Sequence, residues 1–210
     1  MVAVRVLVFG EDDNDRTAIR HLIPALLPIN TRTEIKAIRR PIVLSRGADR
    51  RKKKAMAQEI AGFYEVFARR GRVTVVVHRD CDALEPSHIE NTANLLGYLG
   101  RAGVTRAVPA TPAWEIESWW MHFPEAIRQT RPCWRNVNYA VAGIGMIANA
   151  KERLARDLRP RGRGRNCPDF SESDGIRIAQ IIAEHRLADD LRRLGGGSLR
   201  DFRDRLIATI

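Results

Sequence analysis

Apolar and polar positions fall into blocks that alternate between strand and helix patterns. Val2-Ala3-Val4-Arg5-Val6-Leu7-Val8-Phe9 is short, β-branched and almost continuously apolar, the pattern of a strand buried on both faces as in a parallel sheet. It runs into Gly10 and a burst of acids. From Asp15 the residues Ile19, Leu22, Ile23, Leu26 and Leu27 recur at helical spacing, with Asp12, Asp13, Asn14 and Asp15 able to cap the first turn and complement its dipole. Pro24 is placed to kink this helix and Pro28 to stop it. A second helix is expected from about Arg50 to Arg70, with Met56, Ile60, Phe63, Tyr64 and Phe67 on one stripe and Gly71 at its end. Val73-Thr74-Val75-Val76-Val77-His78 is the second strong buried strand, and it too runs into acids, Asp80 and Asp82. A helix from Glu85-Pro86-Ser87 to about Gly100, a short strand at Arg106–Pro109 and the start of a helix within Ala113–Met121 complete this part.

The pattern changes after about residue 150. Lys151 to Arg165 carries seven Lys/Arg against two acids, and Pro160-Arg161-Gly162-Arg163-Gly164-Arg165 reads as a flexible basic linker. Two short helices follow, Ile176–Leu187 and Leu199–Ile207, the second opened by three glycines and a Ser198 N-cap with Asp201 three residues on. The expected fold class is α/β: a central, mainly parallel sheet flanked by helices, with a small C-terminal helical extension. Residues 1–150 form the α/β domain, and 151–210 form the basic linker and an extension of the same compact unit.

Charge adds a partner to this outline. In 210 residues there are 36 Lys+Arg against 25 Asp+Glu, a formal net charge of +11, and the excess points to a polyanion, most naturally nucleic acid. The bases concentrate in residues 32–72 and 151–165. No apolar run approaches the roughly 20 residues of a membrane span, and the N-terminus lacks a basic-then-apolar leader, so the expected location is cytoplasmic and no membrane partner is expected. Cys81, Cys133 and Cys167 form neither a CxxC pair nor an even disulfide framework, which fits a reducing compartment and gives no zinc signature.

The candidate chemistry lies where the strands end, since ligands of open parallel sheets gather outside the carboxyl ends of the strands. The first strand delivers Glu11, Asp12, Asp13 and Asp15 to that edge and the second delivers Asp80 and Asp82. Like carboxylates in close quarters repel one another unless a cation sits among them. A hard divalent cation, Mg²⁺ or Mn²⁺, answers that need and suits phosphate substrates.

These residues resemble a family. Glu11-Asp12-Asp13-Asn14-Asp15 after a hydrophobic strand is similar to the glutamate motif of TOPRIM domains, and Asp80-Cys81-Asp82 to their DxD motif. Among TOPRIM-like nucleases, the resemblance is closest to small uncharacterised proteins related to the nuclease half of overcoming-lysogenization-defect proteins. Glu115-Ile116-Glu117-Ser118-Trp119 is similar to their Glu-x-Glu-x-Trp segment, and Ser198-Leu199-Arg200-Asp201-Phe202 to their Ser-x-x-Phe-like helix. Where relatives usually place Gly directly after the glutamate, here Gly10 precedes it. The resemblance implies a TOPRIM/Rossmann-like fold and Mg²⁺-dependent cleavage or nicking of DNA. It also implies a partner ATPase and a role in bacterial anti-phage defence. Glu11, Asp80, Asp82 and Glu115 would be catalytic; Glu11, Asp15, Asp80, Asp82 and Glu117 would hold metal, with one of Glu115 and Glu117 serving instead as a salt-bridge partner.

For nucleic acid the candidates are Arg50, Arg51, Lys52, Lys53, Lys54, Arg79, Arg161, Arg163 and Arg165. His78 alternates inward and reads as a packed residue before it reads as a base. Trp114, Trp119 and Trp120 read as core or interface before they read as stacking platforms. Homo-oligomerisation is left open. Two other readings compete. One is a non-catalytic basic adaptor that binds nucleic acid or docks on an ATPase. The other is a receiver-like phosphoacceptor domain, similar in its opening acids, which would need an Asp about forty residues later, where Arg50–Lys54 stand.

Overall fold

Four parallel strands form the centre of the molecule, in the order β2-β1-β3-β4 (β1 Val4–Phe9, β2 Thr33–Ala37, β3 Val73–His78, β4 Ala107–Ala110). The computed structural model describes residues 4–39, 49–160 and 167–210. Strand side chains alternate between two apolar layers, as a sheet covered on both faces requires. Val6, Val8, Val76 and Val108 join one core with α1 (Asp13–Leu26), α4 (Glu117–Trp120), α5 (Pro124–Thr130), α6 (Ala150–Leu158), α7 (Glu172–Glu184) and α8 (Ser198–Thr209). Leu7, Phe9, Val75 and Val77 join the other with α2 (Arg50–Ala68) and α3 (Ser87–Arg101). The α/β class and mainly parallel sheet expected from the pattern are what the chain forms. The first core draws on residues from both 1–150 and 151–210.

The chain passes from β1 outward to β2 and then back across β1 to β3, so strand order reverses between β1 and β3. That reversal opens a crevice at the carboxyl ends of these two strands. Asp12 caps α1 by accepting the Asp15 N–H at 2.8 Å, which fixes the acidic loop over the crevice. Gly10 is required there: a Cβ would stand 2.7 Å from Cγ of Arg16, which is buried under the loop and ion-paired to Asp13. Pro24 lies inside α1 without ending it.

Several elements differ from the sequence expectation. β2 was not anticipated, because Glu34 and Lys36 interrupt its apolar residues at the half-exposed edge of the sheet. The tryptophan segment yields only the single turn α4, because Trp114 adopts a left-handed conformation (φ 60°). Trp114 N–H donates to the Ala83 carbonyl, and Asp82 N–H, at φ 48°, donates to that of Trp114. Residues 150–158, given no element from the sequence, are helical, with Ala150, Leu154 and Leu158 buried at one-turn spacing. Ser198 is not an N-cap but the first residue of α8; its N–H is satisfied by Glu85 Oε1 at 2.8 Å. The Ser198 hydroxyl accepts from Trp119 Nε1 at 3.0 Å and Ala113 N–H at 3.2 Å, while Asp201 reaches His88 at 3.1 Å. Cys133 and Cys167 form a disulfide across 34 residues, which overturns the reading of three unpaired cysteines and removes its argument for a reducing compartment. Cys81 is free and buried. Among the described residues no helix is long and apolar enough to cross a membrane.

Candidate metal centre

β1 and β3 place their following acids side by side because the strands are paired in register, Phe9 opposite Val77. Asp15 arrives from the first turn of α1, and His78 and Asp80 from the end of β3, where a two-residue spacing keeps them on one side of the extended chain. One ligand atom from each of Asp15, His78 and Asp80 lies within 4.8 Å of the others, and this group could hold a metal ion. His78 is fully buried; its Nε2 lies 3.1 Å from Asp80 Oδ1 and its Nδ1 3.5 Å from Asp15 Oδ2. Burial pulls the imidazole pKa down, but the carboxylates of Asp15 and Asp80 outweigh it and push the pKa up to about 9.

The surrounding carboxyls carry the opposite strain. Burial, opposed by His78 and reinforced by Asp80, Asp82 and Asp15, pushes Glu11 up to about 7. Burial, opposed by His78 and reinforced by Asp80 and Asp12, pushes Asp15 up to about 6. Glu117 is 4% exposed, and burial with the charges of Asp80, Asp15 and Glu115 pushes it up to about 8. Each shift says that the pocket holds more acid than it can comfortably ionise.

The two acids of the Glu-x-Glu segment take different places. Glu115 Oε2 accepts the Lys151 N–H at 2.9 Å and so satisfies a free donor at the start of α6; burial raises its pKa. Glu117 opens α4 with its carboxyl buried beside Asp15 and Asp80. Asp82 is exposed at its left-handed turn, close enough for its charge to act on Glu11. Glu172, at the start of α7, acts on Asp15 and is ion-paired to Lys151; nothing in the residue pattern marks either residue. The signal for His78 was its inward alternation two residues before Asp80.

The sequence-derived basic residues do not gather here. Arg79 is 5% exposed, behind the pocket wall rather than on the surface. Arg50, Arg51, Lys52 and Lys54 are exposed in the first turns of α2, and Lys53 is half-buried there. Arg50 and Lys54 line a cleft with Tyr98 and Arg101, at the end of α3 that leads into the start of β4. That is the amino edge of the sheet, opposite the acids. Arg161, Arg163 and Arg165 lie outside the described residues. Trp119 and Trp120 are fully buried, Trp119 stacked on Phe202 at 5.1 Å and Trp120 packed where Gly175 leaves room, so neither offers a platform for bases. The Glu-x-Glu-x-Trp and Ser-x-x-x-Phe segments are thus packing partners of one another.

No family model matches this chain, and neither does any curated protein or solved structure.

Proposed function

We propose that the crevice between β1 and β3 binds a divalent cation and hydrolyses phosphodiester bonds of nucleic acid. The observation that carries this reading is the convergence of Asp15, His78 and Asp80 within 4.8 Å, inside a ring of carboxyls with raised pKa values. Buried Nδ1 of His78 makes no hydrogen bond among the described residues, and one carboxylate oxygen each of Asp15 and Asp80 lies within 4.8 Å of the imidazole and of the other, a donor set that fits a cation. An imidazole in that set favours Mn²⁺ over Mg²⁺, which prefers oxygen ligands and its own waters. When bound, the cation would lower the pKa of a water and neutralise charge on the scissile phosphate.

The chain's own groups divide the remaining work. Asp15, Asp80 and His78 would hold the cation, and Asp82 is exposed near them. Glu11, with a pKa near neutrality, can take up a proton at working pH. Glu117 is a buried carboxyl whose pKa the charges of Asp80 and Asp15 help raise, and Glu115 holds the start of α6 through the Lys151 N–H. The choice of phosphodiester rests on the resemblance to TOPRIM nucleases, as do DNA as substrate, the partner ATPase and the defence role.

The test is nicking of plasmid DNA with Mg²⁺ or Mn²⁺ by wild type, Glu11→Ala and Asp80→Ala. Loss of nicking in both variants is the expected result. Wild type that cuts no better than the variants, with an ATPase partner supplied, would sink the enzyme reading. The separation of Arg50 and Lys54 from the acids favours one second reading, a nucleic-acid-binding adaptor with a degenerate metal site, in which the acids are dispensable.

A further inference from the structure

The amino edge of the sheet carries an arc of cations whose members are linked one to the next. Arg50 and Lys54 meet Arg101 around a cleft of about 190 Å³, where Arg101 lies over the Tyr98 ring at 5.0 Å. From Arg101 the chain turns through Gly103 to Arg106, at the start of β4. Arg106 precedes β4 as Arg72 precedes β3, and the two strands are paired, so both stand at the same edge; burial and then the Arg72 charge lower the Arg106 pKa. Arg72 and Arg32 line a second cleft of about 620 Å³, whose walls are Val4, Leu27, Pro28, Ile207 and Ile210. No carboxylate side chain lines either cleft among the described residues.

Two of these cations lack strong acceptors among the described residues. Nε and Nη2 of Arg106 are buried and have no hydrogen-bond partner among the described residues. Arg72 donates to the Thr209 carbonyl at 3.5 Å, the outer limit of a hydrogen bond. A half-buried guanidinium short of acceptors, beside a second guanidinium, is stabilised by an external anion at its exposed side.

We infer that the arc Arg50–Lys54–Arg101–Arg106–Arg72–Arg32 binds the phosphodiester backbone of a nucleic acid along the amino edge of the sheet. Nucleic acid is favoured over an acidic protein for two reasons. Five of the six cations are arginines, whose planar forks match phosphate oxygens. The larger cleft sets arginines at the rim of an apolar wall, which suits a backbone phosphate followed by a sugar or base. The inference shares its choice of nucleic acid with the hydrolase reading, but it needs no hydrolysis: the surface lies opposite the acids, so binding and cleavage fail separately.

The test is fluorescence anisotropy of a labelled DNA oligonucleotide, single-stranded and as duplex, in EDTA over a range of salt. Arg72→Gln with Arg106→Gln should weaken binding tenfold or more. Arg50→Gln with Lys54→Gln, both exposed and with folding checked by circular dichroism, should weaken it similarly. Each pair should lower the slope of log affinity against log salt by about two, one for each phosphate-contacting cation. Asp80→Asn should bind within twofold of wild type even where nicking is abolished. Wild-type affinity and slope in both double variants would overturn the inference, as would loss of binding in Asp80→Asn. Displacement of the oligonucleotide by polyglutamate at equal charge concentration would assign the arc to an acidic protein instead.

Discussion

The two edges of the sheet gather like charges in different ways. At the carboxyl edge Asp15, Asp80 and Glu117 are drawn in around a fully buried His78. At the amino edge Arg32, Arg72 and Arg101 are exposed around open clefts. Exposed like charges cost little because water and salt screen them, whereas buried ones must change protonation or acquire a counter-ion. Glu11, Asp15 and Glu117 do show raised pKa values, and the Asp15 and Asp80 carboxylates raise that of His78. A net charge of +11 hides this division: a cluster of acids sits at the topological switch point, where the fold, not composition, decides what is close to what.

The largest expected effect attacks the scaffold of the acid edge alone. Trp119→Ala removes a fully buried ring that stacks on Phe202 and donates to Ser198. It should cost about 3–5 kcal/mol, read as a drop in the urea midpoint. Removing the exposed Arg50 side chain at the other edge should move that midpoint by no more than about 0.5 kcal/mol.

Ligands should separate the edges next. A cation held by Asp15, His78 and Asp80 at a hundred times its Kd adds about 2.7 kcal/mol of stability. For a chain of this size that is a rise in Tm of about 5–10 °C. Mn²⁺ should raise the melting temperature of wild type by that order and leave Asp80→Asn unchanged, with Arg72→Gln responding like wild type. An equal response in Asp80→Asn would place the cation elsewhere.

Acidity should then act on the carboxyl edge in one direction. Glu117 and Glu11 are raised from 4.5 to about 8 and about 7, so between those values the folded chain holds protons that the unfolded chain has released. Stability must fall as pH rises through that window. His78, raised from 6.5 to about 9, contributes stability that is complete below 6.5 and lost as pH passes 9. Both slopes have the same sign, so in EDTA the melting temperature should decline from pH 5 to pH 9. Saturating Mn²⁺ should flatten the decline, because the cation replaces the protons. A rise in stability over that range would contradict the packing of Glu117 against Asp15 and Asp80.

The sequence revealed these regions unevenly, for physical reasons. β1 and β3 were legible because burial on both faces demands unbroken β-branched runs, and the acids after them were legible because a parallel sheet exposes its carboxyl ends. β2 was not, since an edge strand tolerates Glu34 and Lys36 and reads as loop. α6 hid among bases because its buried residues are one per turn. His78 was visible as an inward position but not as a member of the Asp15–Asp80 group, because Asp15 reaches it from α1, far away in sequence. The same distance in sequence concealed the Cys133–Cys167 pair and the contact between Trp119 and Ser198. Composition located the bases but could not say that Arg79 would be buried or that Arg50 and Lys54 would face away from the acids.

The finest test uses α8, the helix that touches both edges. It begins at the acid side, where the Ser198 hydroxyl accepts from Trp119 and Ala113 and its N–H meets Glu85. It ends at the arginine side, where Ile207 and Ile210 line the larger cleft and the Thr209 carbonyl meets Arg72. Ser198→Ala leaves two buried donors without an acceptor and should cost about 1–3 kcal/mol. Because the loss falls on the segment that carries Trp119 and Glu117, it should weaken Mn²⁺ binding severalfold by calorimetry while oligonucleotide affinity in EDTA stays within twofold. If both fall together, α8 transmits strain along its length and the edges are coupled. If only Mn²⁺ binding falls, the two charged edges are mechanically independent, joined by one helix but tuned separately.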